Sequence, residues 1–283
     1  YRALSTGDKN YTSTTKDVKR LIGELEDQGI DGLVIDLRDN GGGHLTEATA
    51  LSGLFIANGP VVQLRNSNRR ISRLDDPDPV PRVAYNGPLA VLVNRYSASA
   101  SEIFAAVIQD YERGVIVGQR TFGKGTVQTL MPLSEGQIKL TQAKFYRVSG
   151  ESTQDRGVTP DLIFPAAIDP SKIGESALPN ALPWDRIKPT TFPYSDEIVQ
   201  LLDTLKRGHS LRIENDPDYQ YRVDRIRLAR QQSEKTRVSL NLEERRAEQE
   251  TLKQQSLKLA NVHRKATGEQ PFENYAAFEE SEE

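Results

Sequence analysis

Strand and helix periods alternate along residues 14–118, and this alternation constrains the fold more than any other feature of the chain. Thr14 and Thr15 are candidate caps of a first helix that Gly29 ends. Short continuous apolar runs predict buried strands, and apolar residues three or four positions apart predict helices. A β-α-β-α-β order predicts a mainly parallel sheet with helices on its faces. The segments after the first helix are GLVIDL (32–37, strand), LTEATALSGLFI (45–56, helix), VVQL (61–64, strand), PLAVLVN (88–94, strand), SEIFAAVIQDY (101–111, helix) and GVIVG (114–118, strand).

The pattern changes after Lys124. TVQTLMPL (126–133) and GQIKLTQAKFYRVSG (136–150) predict antiparallel strands, and GVTPDLIF (157–164) predicts one more. The polar, proline-rich stretch 66–81 predicts an exposed loop. From about residue 195 the chain is densely charged with helical periodicity.

These patterns predict three parts: a core at 1–165, a proline-rich linker at 166–194 and a charged helical domain at 195–283. A solvated appendage and a partner-docking surface are both compatible with the charged helices.

Composition excludes several function classes. The chain of 283 residues is long enough to bury a core, and its net charge of −3 gives no basic excess for binding nucleic acid. No apolar run approaches the roughly 20 residues of a membrane helix. The absence of cysteine excludes disulfides and thiolate chemistry. His44, His209 and His263 show no ligand spacing, so we expect no metal site. A start at Tyr1 without a signal segment leads us to expect a processed or excised fragment.

A glycine-rich turn is the first candidate functional feature. In IDLRDNGGG (35–43) a predicted strand ends in three glycines just before a helix. Glycines allow bare N–H groups to point at a bound oxygen, and a helix N-terminus favours negative charge there. Because phosphate-loop spacings are absent, an oxyanion pocket is the better functional interpretation, with a plain strand-to-helix turn as the alternative. Asp36, Arg38 and Asp39 are expected to form structural ion pairs.

A serine-rich junction is the second candidate functional feature. YSASASEIFA (96–105) has three serines where a strand meets a helix, at the carboxyl edge of the predicted sheet. A nucleophilic serine needs a base. His44 is the one histidine near the predicted core, and it lies on the glycine turn, where its own role is ambiguous. Lys124, between two glycines, can replace histidine when it is neutral, although only about one exposed lysine in 2,500 is neutral at pH 7. The residues alone leave a Ser–Lys pair and an ordinary loop lysine equally open.

Four motifs in this order carry a family resemblance: LVIDLRDNGGG, NRYSASASEIFAAVIQDY, GQRTFGKGTVQ and RGVTPDLIFP. Together they closely resemble the carboxy-terminal processing, or tail-specific, serine proteases of bacteria, over about residues 30–165. NALPWD (180–185) is similar to the periplasmic tail-specific branch. The resemblance implies an α/β, crotonase/Clp-protease-like β-α core with a mainly parallel sheet plus antiparallel strands, followed by a helical C-terminal region.

The resemblance also implies roles for single residues. Ser99 would be the nucleophile and Lys124 the general base, with the N–H groups of Gly43 and Ala100 as the oxyanion hole. Ser97 and Ser101 would be packing or capping residues.

Two residues compete for the supporting role beside the lysine. Gln128 matches the glutamine that orients the lysine in processing proteases, and Asp110 matches an aspartate of the tail-specific branch. Gln128 is favoured because it belongs to the same segment as Lys124, whereas Asp110 lies about 16 Å along a straight helix from Ser99. As a charge at a helix C-terminus, Asp110 needs a partner, for which Arg113 is expected.

The function implied by the resemblance is a serine endopeptidase with a Ser–Lys dyad and no cofactor. It would act in the periplasm on envelope proteins, from or near apolar C-terminal tails, with a tetratricopeptide-type lipoprotein adaptor as a permitted partner. The family places a PDZ domain before this core, and no segment of these residues matches one. The alternatives are a crotonase-like acyl-CoA enzyme, which would need a catalytic Glu or Asp, and a non-catalytic scaffold.

Overall fold

A computed structural model describes residues 11–78, 80, 82–169, 171–193 and 197–282. The predicted parts that include residues 1–10, 170 and 194–196 therefore lie partly outside the described residues. The described chain forms two compact units, one of residues 11–164 with 171–203 and one of residues 165–169 with 204–282.

The helices and strands follow one another in this order: α1 Thr14–Glu26, β1 Leu33–Asp36, α2 Leu45–Gly53, β2 Pro60–Asn66, β3 Ile71–Asp75, β4 Leu89–Val93, α3 Ala100–Asp110, β5 Val115–Gly118, β6 Thr126–Pro132, β7 Gln137–Tyr146, β8 Leu162–Ile163, α4 Glu197–Glu214, α5 Pro217–Ser233, α6 Leu242–Ala266 and α7 Tyr275–Glu282. A parallel sheet, an antiparallel sheet and C-terminal helices confirm the predicted fold class.

The first sheet has the order β1-β4-β5-β8, and every pairing in it is parallel. Two predictions about its edge strands are wrong. The segment GVTPDLIF supplies β8, which is parallel to β5 rather than antiparallel. The Asp161 carboxylate, just before β8, accepts the Ile116 N–H at 2.8 Å and holds the start of β8 beside β5. The segment GLVIDL supplies an edge strand that is not fully buried, since Val34 is 60% exposed.

The second sheet is antiparallel, with the order β3-β2-β7-β6. β3 lies inside the stretch 66–81, so the prediction of a loop there is wrong. A tight turn joins it to β2, with the Asn66 side chain accepting the Arg70 N–H at 3.0 Å and Arg69 at a φ of 62°. Most residues of β3 are exposed, and its alternation therefore carries no apolar signal.

Helix α3 connects the two hydrophobic clusters of the first unit. Residues 101–108 are all buried. Phe104 and Ile108 belong to the cluster that includes the parallel strands, and Ile103 and Val107 belong to the cluster of β2 and the end of β7. A helix that is buried on all sides is a core helix. Its first residue directly follows Ser99, so this packing also anchors the serine turn.

Two local details differ from the sequence prediction or extend it. Ser13, rather than Thr14 or Thr15, caps α1, and its hydroxyl accepts the Lys16 N–H at 3.2 Å. Residues 171–193, inside the predicted linker, lie within the first unit.

The second unit is mainly helical, and α5 and α7 are joined by the Arg225–Glu282 ion pair. Among the described residues, no helix has the length and apolar character needed to cross a membrane.

Replacement of Phe104 by alanine should destabilise the first unit strongly. Phe104 is 1% exposed, and its ring meets that of Phe55 edge-to-face at 5.6 Å. We expect a loss of about 3–5 kcal/mol of unfolding free energy, because a large cavity opens between helix and sheet. Urea unfolding measures it. Leu211→Ala, at a position 69% exposed, is the control and should change stability by less than about 0.5 kcal/mol; equal losses in both variants would contradict the core assignment.

Candidate active site

The three serines of the junction between β4 and α3 differ in their surroundings. The Ser97 hydroxyl donates to the Leu37 carbonyl at 2.7 Å, and the Ser101 hydroxyl lies 2.9 Å from the Asn40 side-chain oxygen. Both hydroxyls therefore fasten the serine turn to the turn after β1. Ser99 instead adopts a φ of 58° and a ψ of −114°, which non-glycine residues rarely adopt. Strained strand-to-helix turns of this kind present a nucleophilic hydroxyl in hydrolases.

The glycine turn packs directly against the serine turn. Gly42 has a φ of +92°, and a Cβ there would lie 2.5 Å from the Ala98 carbonyl and 2.7 Å from the Ala100 nitrogen. The Ala98 N–H donates to the Asn40 carbonyl at 3.0 Å, which holds the two turns together. A Cβ on the adjacent Gly43 would meet no atom within 4 Å, so its backbone borders open space. The two residues predicted as an oxyanion hole thus lie on turns that touch.

A buried carboxylate, that of Glu102, joins the serine turn to the lysine loop. Glu102 is 0% exposed. Its Oε2 accepts the Ser99 N–H at 2.7 Å and the Lys124 N–H at 2.9 Å, which holds these two backbone nitrogens within about 6 Å of each other. Its Oε1 accepts the Thr121 hydroxyl at 2.6 Å and the Gly123 N–H at 2.7 Å. One side chain therefore fixes both candidate catalytic residues.

The charge state of Glu102 is set by two opposing effects. Burial raises its pKa to about 7, against the hydrogen bonds from Thr121, Gly123, Ser99 and Lys124, which lower it. Because this pKa lies above the 4.5 of an exposed glutamate, the carboxyl contributes least stability above about pH 7 and more as the pH falls towards 4.5. The surrounding donors nevertheless match an ionised carboxylate, since an O–H there would face other donors.

Lys124 lies in a half-buried loop between β5 and β6. Burial lowers the pKa of Lys124, and the charge of Lys139 on β7 adds to this, whereas Glu175 and Glu102 act in the opposite direction. The loop is also held by the Phe122 N–H, which donates to the Ser97 carbonyl at 2.9 Å. A lysine with a lowered pKa is the kind that can accept a proton near neutral pH.

The two candidates for the supporting role lie elsewhere. Gln128 is exposed on β6, and its amide lies 3.5 Å from the Thr141 hydroxyl on β7. Asp110, at the C-terminal end of α3, forms an ion pair with Arg147 at 2.6 Å, with side chains only 9% and 13% exposed. Among the described contacts, neither residue is hydrogen-bonded to Lys124. The role of each therefore stays a prediction.

One predicted ion-pair partner is wrong and another pair is confirmed. Arg113 does not pair with Asp110, because its guanidinium donates to the carbonyls of Phe55 and Tyr85. Asp36 and Arg38 do form an ion pair, at 2.7 Å, which lowers the pKa of Asp36. Asp39 accepts instead from the Asn94 side-chain amide at 2.8 Å.

Sequence reasoning missed Glu102, although a signal for it exists. Ser99 and Glu102 have the S-x-x-E spacing of a capping box, in which the acidic side chain accepts the N–H of the residue before the helix. It also missed Arg95, whose buried guanidinium donates to the carbonyls of Thr121 and Ile173. No local pattern indicates that contact, since its acceptors lie 26 and 78 residues away.

Two family models match this chain. The model of peptidase family S41 matches residues 5–164, more than half of the chain, and the C-terminal domain of tail specific protease matches residues 168–283. The chain belongs to peptidase family S41. The family predicted from the four motifs is thereby confirmed.

Individual proteins similar to this chain are named as tail-specific or C-terminal processing proteases. The chain is 42% identical to a tail-specific protease of Haemophilus influenzae over 93% of this chain and 39% of that protein. It is 36% identical to a carboxy-terminal-processing protease of Bartonella bacilliformis, over 57% of this chain and 37% of that protein. A solved photosystem II D1 C-terminal processing protease matches with 36% identity and a TM-score of 0.49, over 56% of this chain and 39% of that one. The chain thus spans about two fifths of the length of these curated relatives.

Replacement of Glu102 by glutamine should disable the site. One oxygen of the carboxylate becomes an NH₂ group that faces N–H donors, so buried donors lose their acceptor. We expect a loss of about 1–3 kcal/mol in unfolding free energy and about a 100-fold slower labelling of Ser99 by a fluorophosphonate probe.

Glu47→Gln is the matched control, because its carboxylate also accepts several hydrogen bonds, from Ser13 and Thr15, and among the described contacts makes none to the serine turn or the lysine loop. It should lose stability without slowing the labelling. An unchanged labelling rate in Glu102→Gln would refute the bridging role of Glu102.

Proposed function

We propose that this S41 chain carries the catalytic centre of a serine endopeptidase of the tail-specific type, with Ser99 as nucleophile and Lys124 as general base. The observation that carries the proposal is the shared carboxylate of Glu102, which binds the backbone N–H groups of both residues. The strained backbone of Ser99 and the lowered pKa of Lys124 support it.

The geometry suggests the following sequence of steps. Neutral Lys124 takes the proton of the Ser99 hydroxyl as the oxygen attacks the scissile carbonyl. The N–H groups of Gly43 and Ala100 stabilise the tetrahedral oxyanion, and Ala100 offers an N–H with no intrahelical acceptor because it begins α3. The lysine ammonium then donates its proton to the leaving amine as the C–N bond breaks. Water, deprotonated by Lys124, hydrolyses the acyl-enzyme and regenerates Ser99.

Substrate, partner and compartment are part of the proposal. Unstructured envelope proteins with apolar C-terminal tails are the proposed substrates, the periplasm is the proposed location, and a tetratricopeptide-type lipoprotein is the proposed adaptor. Their support is the motif resemblance and the name of the Haemophilus influenzae relative. No cofactor enters the proposed steps.

The acyl-CoA alternative is disfavoured by Glu102. Such an enzyme needs a carboxylate that faces its substrate, whereas the carboxylate of Glu102, which accepts the Ser99 N–H, is fully buried with both oxygens occupied by donors. The scaffold alternative makes the opposite prediction about Ser99→Ala, which it expects to have no effect.

Ser99→Ala and Lys124→Ala should each reduce peptide hydrolysis by at least about 10³-fold without altering the melting temperature, because each removes one member of a dyad that acts as a unit. Hydrolysis of an unstructured protein with an apolar tail, in the full natural protein, measures it. Lys124→Arg should also be inactive, since an arginine stays charged. Lys19→Ala, on the surface of α1, is the control. Retained cleavage in either dyad variant would refute the mechanism.

Asp110→Asn and Gln128→Ala should separate the two supporting candidates. Asp110→Asn leaves buried Arg147 without its ion pair, so we expect a loss of about 3 kcal/mol of unfolding free energy. The activity should fall only in proportion to the fraction of unfolded protein. Gln128 is exposed, so Gln128→Ala should keep the stability. The role that the resemblance implies for Gln128, orienting Lys124, predicts a lower kcat in the same variant. Urea unfolding combined with steady-state kinetics gives both quantities. A fully folded but inactive Asp110→Asn would assign the supporting role to Asp110 instead.

A further inference from the structure

Glu175 lies against the lysine loop although it is 51 positions further along the chain. It begins a short 3₁₀ turn, Glu175–Ala177, in the first unit. Its N–H donates to the Phe122 carbonyl at 3.0 Å, two residues before Lys124. The segment that carries it, residues 173–177, is therefore hydrogen-bonded to the same loop as the candidate base.

A buried glutamine fixes the Glu175 carboxylate. Gln154 is 0% exposed, and its side-chain oxygen accepts the Gly125 N–H at 2.8 Å. Its amide nitrogen donates to Glu175 Oε1 at 2.9 Å. Glu175 is thus bound on both sides of Lys124, through Phe122 and, by way of Gln154, through Gly125.

Arg95 also binds the segment 173–177. Its guanidinium donates to the carbonyls of Thr121 and Ile173 and to the Ser176 hydroxyl at 3.3 Å. A Cβ on Gly174 would lie 1.9 Å from this guanidinium, so a larger residue there would displace Arg95, and the φ of +129° also favours glycine. The position of Glu175 relative to the loop is therefore fixed by buried contacts.

We propose that Glu175 is a positioning residue that stabilises the ammonium form of Lys124 across space, with Gln154 holding its carboxylate in place. The inference rests on the proposed Ser99–Lys124 mechanism. The ammonium forms when Lys124 takes the serine proton, so a fixed negative charge nearby stabilises the transition state that leads to it. The same charge makes the resting lysine harder to deprotonate.

The other charges facing Lys124 come from different elements. Lys139 on β7 favours the neutral lysine, as burial does, and buried Glu102 on α3 favours the charged one together with Glu175. Of the two carboxylates, Glu102 is already occupied by hydrogen bonds from Thr121, Gly123, Ser99 and Lys124. Glu175 is half-buried, and one of its oxygens is bound by Gln154. It is therefore the carboxylate that can be neutralised without breaking the bridge between the catalytic residues.

The test is Glu175→Gln in the full natural protein, which removes the charge and keeps an oxygen for Gln154. The second-order rate of fluorophosphonate labelling of Ser99 and kcat/KM for peptide hydrolysis are measured from pH 5 to about pH 10. Without the negative charge Lys124 deprotonates more readily, so the acidic limb of both profiles should move to lower pH. On the alkaline plateau the rates should fall by about three- to tenfold, because the ammonium formed in the transition state loses its counter-charge.

A purely structural role would give a different result. A parallel loss at every pH, or a profile that superimposes on that of the unmodified protein, would overturn the inference. Glu175→Asp keeps the charge, so its acidic limb should lie closer to that of the unmodified protein than the limb of Glu175→Gln does; the reverse order would also overturn it. Glu151→Gln, an exposed carboxylate of the same unit, is the matched control and should leave the profile unchanged.

Lys124→Ala separates this inference from the proposed function. If Lys124→Ala still labels and cleaves, the dyad itself is wrong. If Lys124→Ala is inactive while Glu175→Gln shows a parallel or unchanged profile, the dyad stands and the role of Glu175 is wrong.

Discussion

The buried carboxylate of Glu102 is the contact on which the rest of the site depends. It receives four hydrogen bonds from two segments that are about 20 residues apart, the serine turn and the lysine loop. An isolated carboxylate at this depth would be strongly unfavourable, so the donors and the acceptor require each other. Burial of Glu102 strengthens these hydrogen bonds, and the bonds in turn hold the first turn of α3 against the lysine loop.

The parallel sheet explains why these segments meet. β1, β4 and β5 are neighbours that run in the same direction, so the turns after their carboxyl ends lie along one edge. The glycine turn follows β1, the serine turn follows β4 and the lysine loop follows β5. Ligands in open α/β sheets bind at this edge for the same geometric reason.

The sequence predicted what local patterns encode and missed what long-range contacts decide. Continuous apolar runs predicted β4 and β5, and apolar residues three or four positions apart predicted α3, because elements that pack in the core present apolar side chains to their neighbours. β3 was missed because its side chains are exposed and have no apolar period. The parallel pairing of β8 with β5 joins residues about 45 positions apart, including the contact between Asp161 and Ile116, and no local pattern contains it.

The candidate site divides in the same way. Ser99, Lys124 and the glycine turn were predicted from motifs whose spacing along the chain reflects the turns that carry them. Arg95, Gln154 and Glu175 were not, because each acts on the lysine loop from a distant part of the chain. The partner of Asp110 was predicted as nearby Arg113, whereas the structure pairs it with Arg147, which the topology of the second sheet brings to the end of α3.

The backbone of Ser99 has a consequence for how such a chain changes over evolutionary time. At a φ of 58° and a ψ of −114°, glycine would be under less strain than any residue with a Cβ, so a side chain here lowers folding stability. Drift governed by stability alone would replace it with glycine. On the proposed function, a hydroxyl at residue 99 is retained for chemistry rather than for folding, and a copy of this domain that no longer needs that chemistry should lose it early.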